Sequence, residues 1–324
     1  MIGYAGKRIL VSGGAGFIGS HLVDALVKEH PISLHVVDNL FLGREENLDD
    51  ARRRFPDLVF HRLDAADGPS LRGLIRNHRI DCVFNLATKA LGHSFSDPLD
   101  AFHVNSIIAG HLLESLRAGE ISHLVHFSSS EACGTALRIP MDETHPLWPN
   151  TTYAAGKAAA DLMVRAYQES FGLRVTTIRP FNNYGPRQNA GVYAGIIPLT
   201  MTRILRGETP VIFGEGRQTR DFSFVRDTAR LAVELGKHDE IAGTVVHLGS
   251  GREIGIRDLV DHICRIAGYA GAVRTDPARP ADVLRHCADI SLLRQILGEV
   301  SICSFEEGLE ETWEWYRKRG REHF

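Results

Sequence analysis

Several things are scarce in this chain of 324 residues, and each scarcity removes a class of protein. Its five cysteines, Cys82, Cys133, Cys264, Cys287 and Cys303, are odd in number, scattered, and free of any Cys-x-x-Cys pair. Neither a disulfide framework nor a zinc site is indicated, and no metal is expected. No apolar run is long enough to span a bilayer, and the N-terminus lacks the charged, apolar and small-residue order of a secretory signal, so the sequence predicts a cytoplasmic protein without membrane attachment. A formal net charge of -3, with both signs interspersed, gives no electrostatic basis for binding nucleic acid or an anionic surface. The cluster Arg52-Arg53-Arg54 reads as a solvated helix face. Internal repeats and low-complexity segments are also missing.

What is present is an alternation of short β-branched runs and amphipathic helical patterns. Strands are predicted over 9–12, 34–37, 58–62, 82–86, 124–128 and 175–179, with helical patterns between them. That order is the signature of a doubly wound parallel α/β sheet of the Rossmann type. Ligands in such sheets bind beyond the carboxyl ends of the strands, so the residues that follow each strand are the candidates for function.

The first strand leads into Ser12-Gly13-Gly14-Ala15-Gly16-Phe17-Ile18-Gly19 and then an apolar helical pattern. Gly13 suits a turn with positive φ, Gly16 lets backbone N–H groups approach a pyrophosphate, and Gly19 lets the helix pack closely on the sheet. The helix N-terminus then faces the anion. The second strand ends at Asp38, at the spacing where a carboxylate accepts hydrogen bonds from an adenosine ribose. A 2′-phosphate would meet that carboxylate as a like charge, which favours NAD over NADP, although Arg44 lies close in sequence. After the third strand, Asp64 is placed either to bond an adenine amino group or to cap the helix before Pro69. After the fourth, Asn85-Leu86-Ala87-Thr88-Lys89 supplies small residues and then a cation, Lys89, for a phosphate or sugar hydroxyl or simply for solvent.

The fifth strand runs into Ser128-Ser129-Ser130-Glu131-Ala132-Cys133-Gly134, and Tyr153-Ala154-Ala155-Gly156-Lys157 opens a long alanine-rich helix. Tyr153 and Lys157, four apart, share a helix face. An ammonium near a phenol lowers the phenol pKa, so the pair is suited to removing a hydroxyl proton while a serine hydroxyl orients the alcohol. On an extended segment Ser129, Glu131 and Cys133 would point the same way, which would turn the thiol toward the substrate; a small buried residue is the alternative.

Together with Arg179-Pro180-Phe181-Asn182-Asn183-Tyr184-Gly185-Pro186, these motifs resemble the extended short-chain dehydrogenase/reductases, and more narrowly their nucleotide-sugar epimerase/dehydratase branch. The resemblance continues through 214–222 and 247–251 to Arg279-Pro280-Ala281-Asp282, nearly the whole chain. It implies NAD as cofactor, held by Gly13, Gly16, Phe17, Ile18, Gly19, Asp38, Asn39, Asp64, Ala65, Leu86, Ala87, Lys89, Tyr153, Lys157 and Pro180. It implies Ser129 on the sugar C4 hydroxyl, Tyr153 as base, Lys157 on the nicotinamide ribose, and Lys89, Ser130, Glu131, Asn182, Arg220 and Arg279 among the contacts to a nucleotide-diphosphate sugar. Arginine forks and an amide donor suit a diphosphate.

The resemblance also implies a smaller substrate lobe, so 1–180 is expected to form the cofactor domain, with a segment near 220–262 returning to it, and 181–324 mainly the sugar lobe. A homodimer paired through the helices around 107–116 and 154–167 is expected. Glu131 stands where dehydratases and decarboxylases of the branch place a glutamate, so the sequence predicts a 4,6-dehydratase working through a 4-keto intermediate. A 4-epimerase comes next, favoured by Lys89, followed by a uronic-acid decarboxylase. Retention of Ser129, Tyr153 and Lys157 argues against a non-catalytic NAD-binding protein.

Overall fold

The computed structural model describes residues 3–278 and 283–320. Six parallel strands, β1 (Arg8–Ser12), β2 (Ser33–Asp38), β3 (Leu58–Arg62), β4 (Cys82–Asn85), β5 (His123–Phe127) and β6 (Thr176–Pro180), are joined by a seventh, Val245–Leu248. Across the sheet the order is Val245–Leu248, β6, β5, β4, β1, β2, β3. The order reverses between β1 and β4, where Ser12 stands level with Asn85, and this is the switch point at which doubly wound sheets bind ligands.

Alternating side chains of each strand feed two apolar layers. Ile9 and Val11 face Leu22, Leu26, Ala229 and Val233, on the helices Phe17–Val27 and Val225–Gly236. Leu10 and Val37 face the other way, toward Leu71, Ile75, Ile108, Leu112 and Val164, on Gly68–Asn77, Pro98–Arg117 and Thr152–Phe171. A strand buried on both faces has to be apolar at successive positions, and so the β-branched runs were readable without periodicity.

A third apolar cluster, built around Tyr184, Phe222, Phe224, Leu259, Ile263, Leu309 and Trp313, forms the core of a smaller lobe beyond β6. Its helix Phe305–Arg319 starts with a capping box in which Ser304 and Glu307 exchange hydrogen bonds. Val245–Leu248 returns from this region to pair in parallel with β6. No helix among the described residues is long and apolar enough to cross a membrane.

Candidate active site

Beyond the carboxyl ends of β1, β2 and β4 lies a cavity of about 360 Å³. Its floor is the glycine turn. Gly13 has φ +72°, and a Cβ there would stand 2.7 Å from the Ala87 nitrogen; a Cβ on Gly19 would collide with the Gly13 carbonyl. The helix Phe17–Val27 begins at Gly16 with no side-chain cap and no acidic residue in its first turn, leaving its N–H groups directed at the cavity. A concave floor of free amides with no room for side chains fits a dinucleotide pyrophosphate.

Asp38 lines the cavity, and its carboxylate accepts hydrogen bonds from the Ala15 N–H (3.0 Å) and the Leu40 N–H (2.8 Å). It braces the turn while keeping lone pairs for a ribose. Arg44, the residue that left room for NADP, turns its guanidinium to Glu46 (3.4 Å) and does not line the cavity. Asp64 lines the cavity and accepts from Asn39 Nδ2 (2.9 Å). The helix-cap alternative for Asp64 is corrected by the structure: Asp67 accepts from the Ser70 N–H and caps Gly68–Asn77.

At the other end, Ser129, Tyr153 and Lys157 meet with Pro180 and Ala87. The Tyr153 hydroxyl hydrogen-bonds with Ser129 and Thr88. Lys157 is buried and donates from Nζ to the Phe127 carbonyl (3.0 Å); burial lowers its pKa to about 8. The expectation that Lys157 pulls the tyrosine toward neutrality is not met. Burial pushes the Tyr153 phenol up to about 12, the hydrogen bonds to Ser129 and Thr88 oppose the rise, and the Glu131 charge adds to it.

Beneath the pair lies a buried polar layer. Asp161 Oδ2, one turn beyond Lys157, accepts from Ser128 Oγ (2.8 Å) and Arg179 Nη2 (2.7 Å). Ser12 Oγ donates to Asn85 Oδ1 (2.7 Å), and Asn85 Nδ2 meets His126 Nδ1 at 3.1 Å. These groups hold the strand ends in register.

The segment after β5 is not extended. Ser130–Cys133 is a single 3₁₀ turn, with the Ser129 hydroxyl accepting from the Glu131 N–H (3.2 Å). The coil takes Cys133 off the Ser129 side and into the apolar layer, fully buried, where its thiol pKa is raised by desolvation. Ser130 is buried as well. Glu131 Oε1 stands 4.0 Å from His286 Nδ1. His286 Nε2 meets the Gly134 carbonyl at 2.7 Å, which makes Nε2 the protonated nitrogen and leaves Nδ1 a lone pair without a hydrogen-bond partner. Burial lowers His286 to about 4.

The remaining sugar-side candidates, Ser130, Glu131, Asn182 and Arg220, do not line the 360 Å³ cavity themselves, though Ser129, Phe181 and Asn183 beside them do. Asn182 sits at the start of the strand Asn182–Tyr184 with its Oδ1 buried and without a partner. Arg220 is buried in the strand Thr219–Arg220, with Nη1 donating to the Thr219 carbonyl (2.9 Å), and its charge bears on His286. Arg279 lies outside the described residues.

Sequence reasoning missed the wall opposite the glycine turn. Phe41, Asn183, Gln188 and Tyr193 line the cavity, and Asn183 Oδ1 and Gln188 Oε1 are buried without partners. Lys89 is no solvated lysine: its Nζ is 3.2 Å from Asp100 and 4.0 Å from the centre of the Phe41 ring. His93 bridges Asp100 (2.8 Å) to the Tyr193 hydroxyl (3.2 Å), so the wall is locked by one network across residues 41–193. Only the doubled asparagine after Pro180 hinted at any of it.

A parallel sheet with a glycine turn at its switch point, and a Ser-Tyr-Lys group at the far end of the same cavity, defines a dehydrogenase-like site of the extended short-chain type. A family model described as GDP-mannose 4,6 dehydratase matches residues 10–312. The chain belongs to the NAD-dependent nucleotide-sugar epimerase/dehydratase family, a family of enzymes. It is 31% identical over 316 residues to a putative UDP-glucose 4-epimerase of Methanocaldococcus jannaschii, covering 97% of this chain and 99% of that one. It is 34% identical over 320 residues to a dTDP-glucose 4,6-dehydratase of Actinoplanes sp., covering 96% and 98%. The crystal structure of a dTDP-glucose 4,6-dehydratase from Streptomyces venezuelae, solved with NAD bound, superposes with a TM-score of 0.88 at 32% identity, over 96% of this chain and 97% of that one.

Proposed function

We propose that this protein is an NAD-dependent 4,6-dehydratase acting on a nucleotide-diphosphate hexose. The observation that carries the reading is the position of Glu131. Its carboxylate sits one residue beyond the Ser129-Ser130 pair, close enough to oppose ionisation of Tyr153, and it faces a neutral histidine nitrogen. A carboxylate in that place has no task in C4 oxidation and is suited to taking a proton from the neighbouring sugar carbon.

Gly13, Gly16 and the first turn of Phe17–Val27 would hold the pyrophosphate of NAD, Asp38 its adenosine ribose, and Lys157 the ribose at the nicotinamide end. Bound there, NAD would supply the two-electron acceptor for C4 oxidation and would return those electrons at the end. Ser129 Oγ orients the C4 hydroxyl and Tyr153 Oη takes its proton, giving the 4-ketone. The ketone acidifies C5–H; Glu131 takes that proton, the C6–O bond breaks, and the hydroxyl leaves as water with the proton Glu131 has taken, leaving a C5–C6 double bond that accepts the two electrons back at C6 as hydride and a solvent-exchanged proton at C5. Asn182, as an amide N–H donor, and Arg220 are assigned to the nucleotide-diphosphate portion.

Turnover of a panel of nucleotide sugars in deuterated water tests the reading. Dehydration incorporates deuterium at C5 and loses the C6 oxygen. Product of unchanged mass with C4 inverted and no deuterium would make the protein a 4-epimerase, a reading favoured by Lys89 at the cavity wall. Carbon dioxide release from a uronic acid would make it a decarboxylase.

We also assign a homodimer to the paired helices Pro98–Arg117 and Thr152–Phe171, whose outer faces expose Leu99, Phe102 and Leu162. Sedimentation at micromolar concentration should give twice the chain mass, and Leu162→Asp should give the monomer.

A further inference from the structure

Three histidines that the mechanism does not use converge at the far edge of the sheet. His35 comes from β2, His61 from β3, and His78 caps the C-terminal end of the helix Gly68–Asn77. One nitrogen from each lies within 4.8 Å of the other two, and His35 Nδ1 is 3.0 Å from His61 Nε2. The rings crowd, with His35 and His78 centred 4.5 Å apart. We propose that His35, His61 and His78 form a binding site for a divalent transition metal, with Zn²⁺ as the ion it fits best.

Imidazole nitrogens are ligands of choice for Zn²⁺, and three of them with one open position make a tetrahedral site. At Zn–N lengths of about 2.0–2.1 Å, tetrahedral ligand nitrogens stand roughly 3.4 Å apart. The His35–His61 pair is already near that edge length. His61 is half-buried and His78 stands nearer the surface, so an ion reaches the cluster from solvent. His35, which is buried, is fixed from behind: its Nε2 contacts Ser33 Oγ at 3.2 Å. Donation from Nε2–H to that hydroxyl leaves Nδ1 as the lone pair facing the other two rings, the outer-shell arrangement that orients a metal-bound imidazole.

The contrast with the other candidate cluster among the described residues sharpens the assignment. His93, Asp97 and Asp100 also approach one another, but the Lys89 ammonium stands 3.2 Å from Asp100, and Asp97 is spent capping Pro98–Arg117. A cation in that place meets a cation. Among the described residues, the charges that bear on His35 and His61 are those of the other histidines in the cluster, with no lysine or arginine among them. The ligands also tie together β2, β3 and a helix end, three residues along β2 from Asp38, so occupancy would brace the edge of the sheet that carries the adenosine carboxylate.

The test is titration of the tag-free full chain with Zn²⁺ against a chromophoric chelator, with Co²⁺ as spectroscopic substitute. Expected are one Zn²⁺ per chain at micromolar affinity or tighter, a visible cobalt band of tetrahedral intensity, and a higher Tm with zinc present. His61→Gln and His78→Gln should each weaken binding by more than about 100-fold, beyond what outer-shell changes alone cost. Both variants should keep the zinc-free Tm within a few degrees and leave turnover within about twofold, since neither residue lines the cavity. The proposal is overturned if the wild-type chain binds no Zn²⁺ at about 100 μM, a concentration at which a site even this weak would be half filled. It is equally overturned if both variants bind zinc as the wild type does.

Discussion

Around the glycine turn, each group directed at a dinucleotide stands at the end of a strand or in the few residues after it. On the side assigned above to the sugar, Glu131, Arg220 and His286 converge from a 3₁₀ turn, a two-residue strand and an irregular segment near the C-terminus. The first arrangement is local, and the sheet guarantees it once the strands pair. The second exists only after the smaller lobe has folded against the larger one. Divergence of reaction within a family then has an address: the part of the site whose geometry no single element dictates.

The largest effect expected from this comparison belongs to the group both sides share. Tyr153→Phe deletes the acid/base while keeping the ring, and turnover should fall by about 10³-fold with NAD affinity changed less than about threefold, read by steady-state kinetics and cofactor titration. An equal loss in both would mean that the tyrosine holds the cofactor rather than the proton. Next comes a change confined to the sugar side: Glu131→Gln should cut net turnover by about 10²-fold while C4 oxidation persists, so that reduced-nicotinamide absorbance builds up and does not decay. Loss of that absorbance as well would place Glu131 in substrate binding.

A third effect, on stability and not on turnover, is spread over both sides. His35, His126 and His286 are lowered by burial to about 4, and His21 and His247 to about 3. The unfolded chain takes up protons near the ordinary histidine pKa of about 6.5, where the folded chain refuses them, so stability should fall as pH drops from about 6.5 toward 4 and level off below the folded values. Thermal melts between these limits check it. Saturating NAD should raise Tm at every pH without removing the slope.

The same division sets what could be read from the sequence. The glycine turn, Asp38 and the Tyr153–Lys157 spacing were legible because each lies within one element or one strand-to-helix junction, and all of them line one cavity. The six strands of the first half fell within a residue or two of their positions, because burial on both faces writes itself as apolar runs. Cys133 left two readings open, a sugar contact or a small buried residue, because whether four residues coil or extend depends on what packs over them; the buried reading is the one that holds. The pairing of Phe41 with Tyr193, and of Glu131 with His286, joins residues more than a hundred positions apart, and no local pattern encodes it. The tyrosine pKa failed for a related reason: the ammonium was legible and the desolvation was not.

The return of Val245–Leu248 to the edge of the sheet has a consequence for how this molecule can be cut. The chain leaves the sheet at Pro180 and comes back to lie beside the strand it left, so the intervening residues form a closed excursion whose two ends are hydrogen-bonded neighbours. A fragment ending after β6 would present that strand's unpaired backbone as a raw edge and would lack Val246 and Leu248 from the core, inviting self-association instead of folding. Permuting the termini into the excursion, at an exposed loop position such as Glu208, keeps both passes of the chain through the sheet and is a dissection this topology permits.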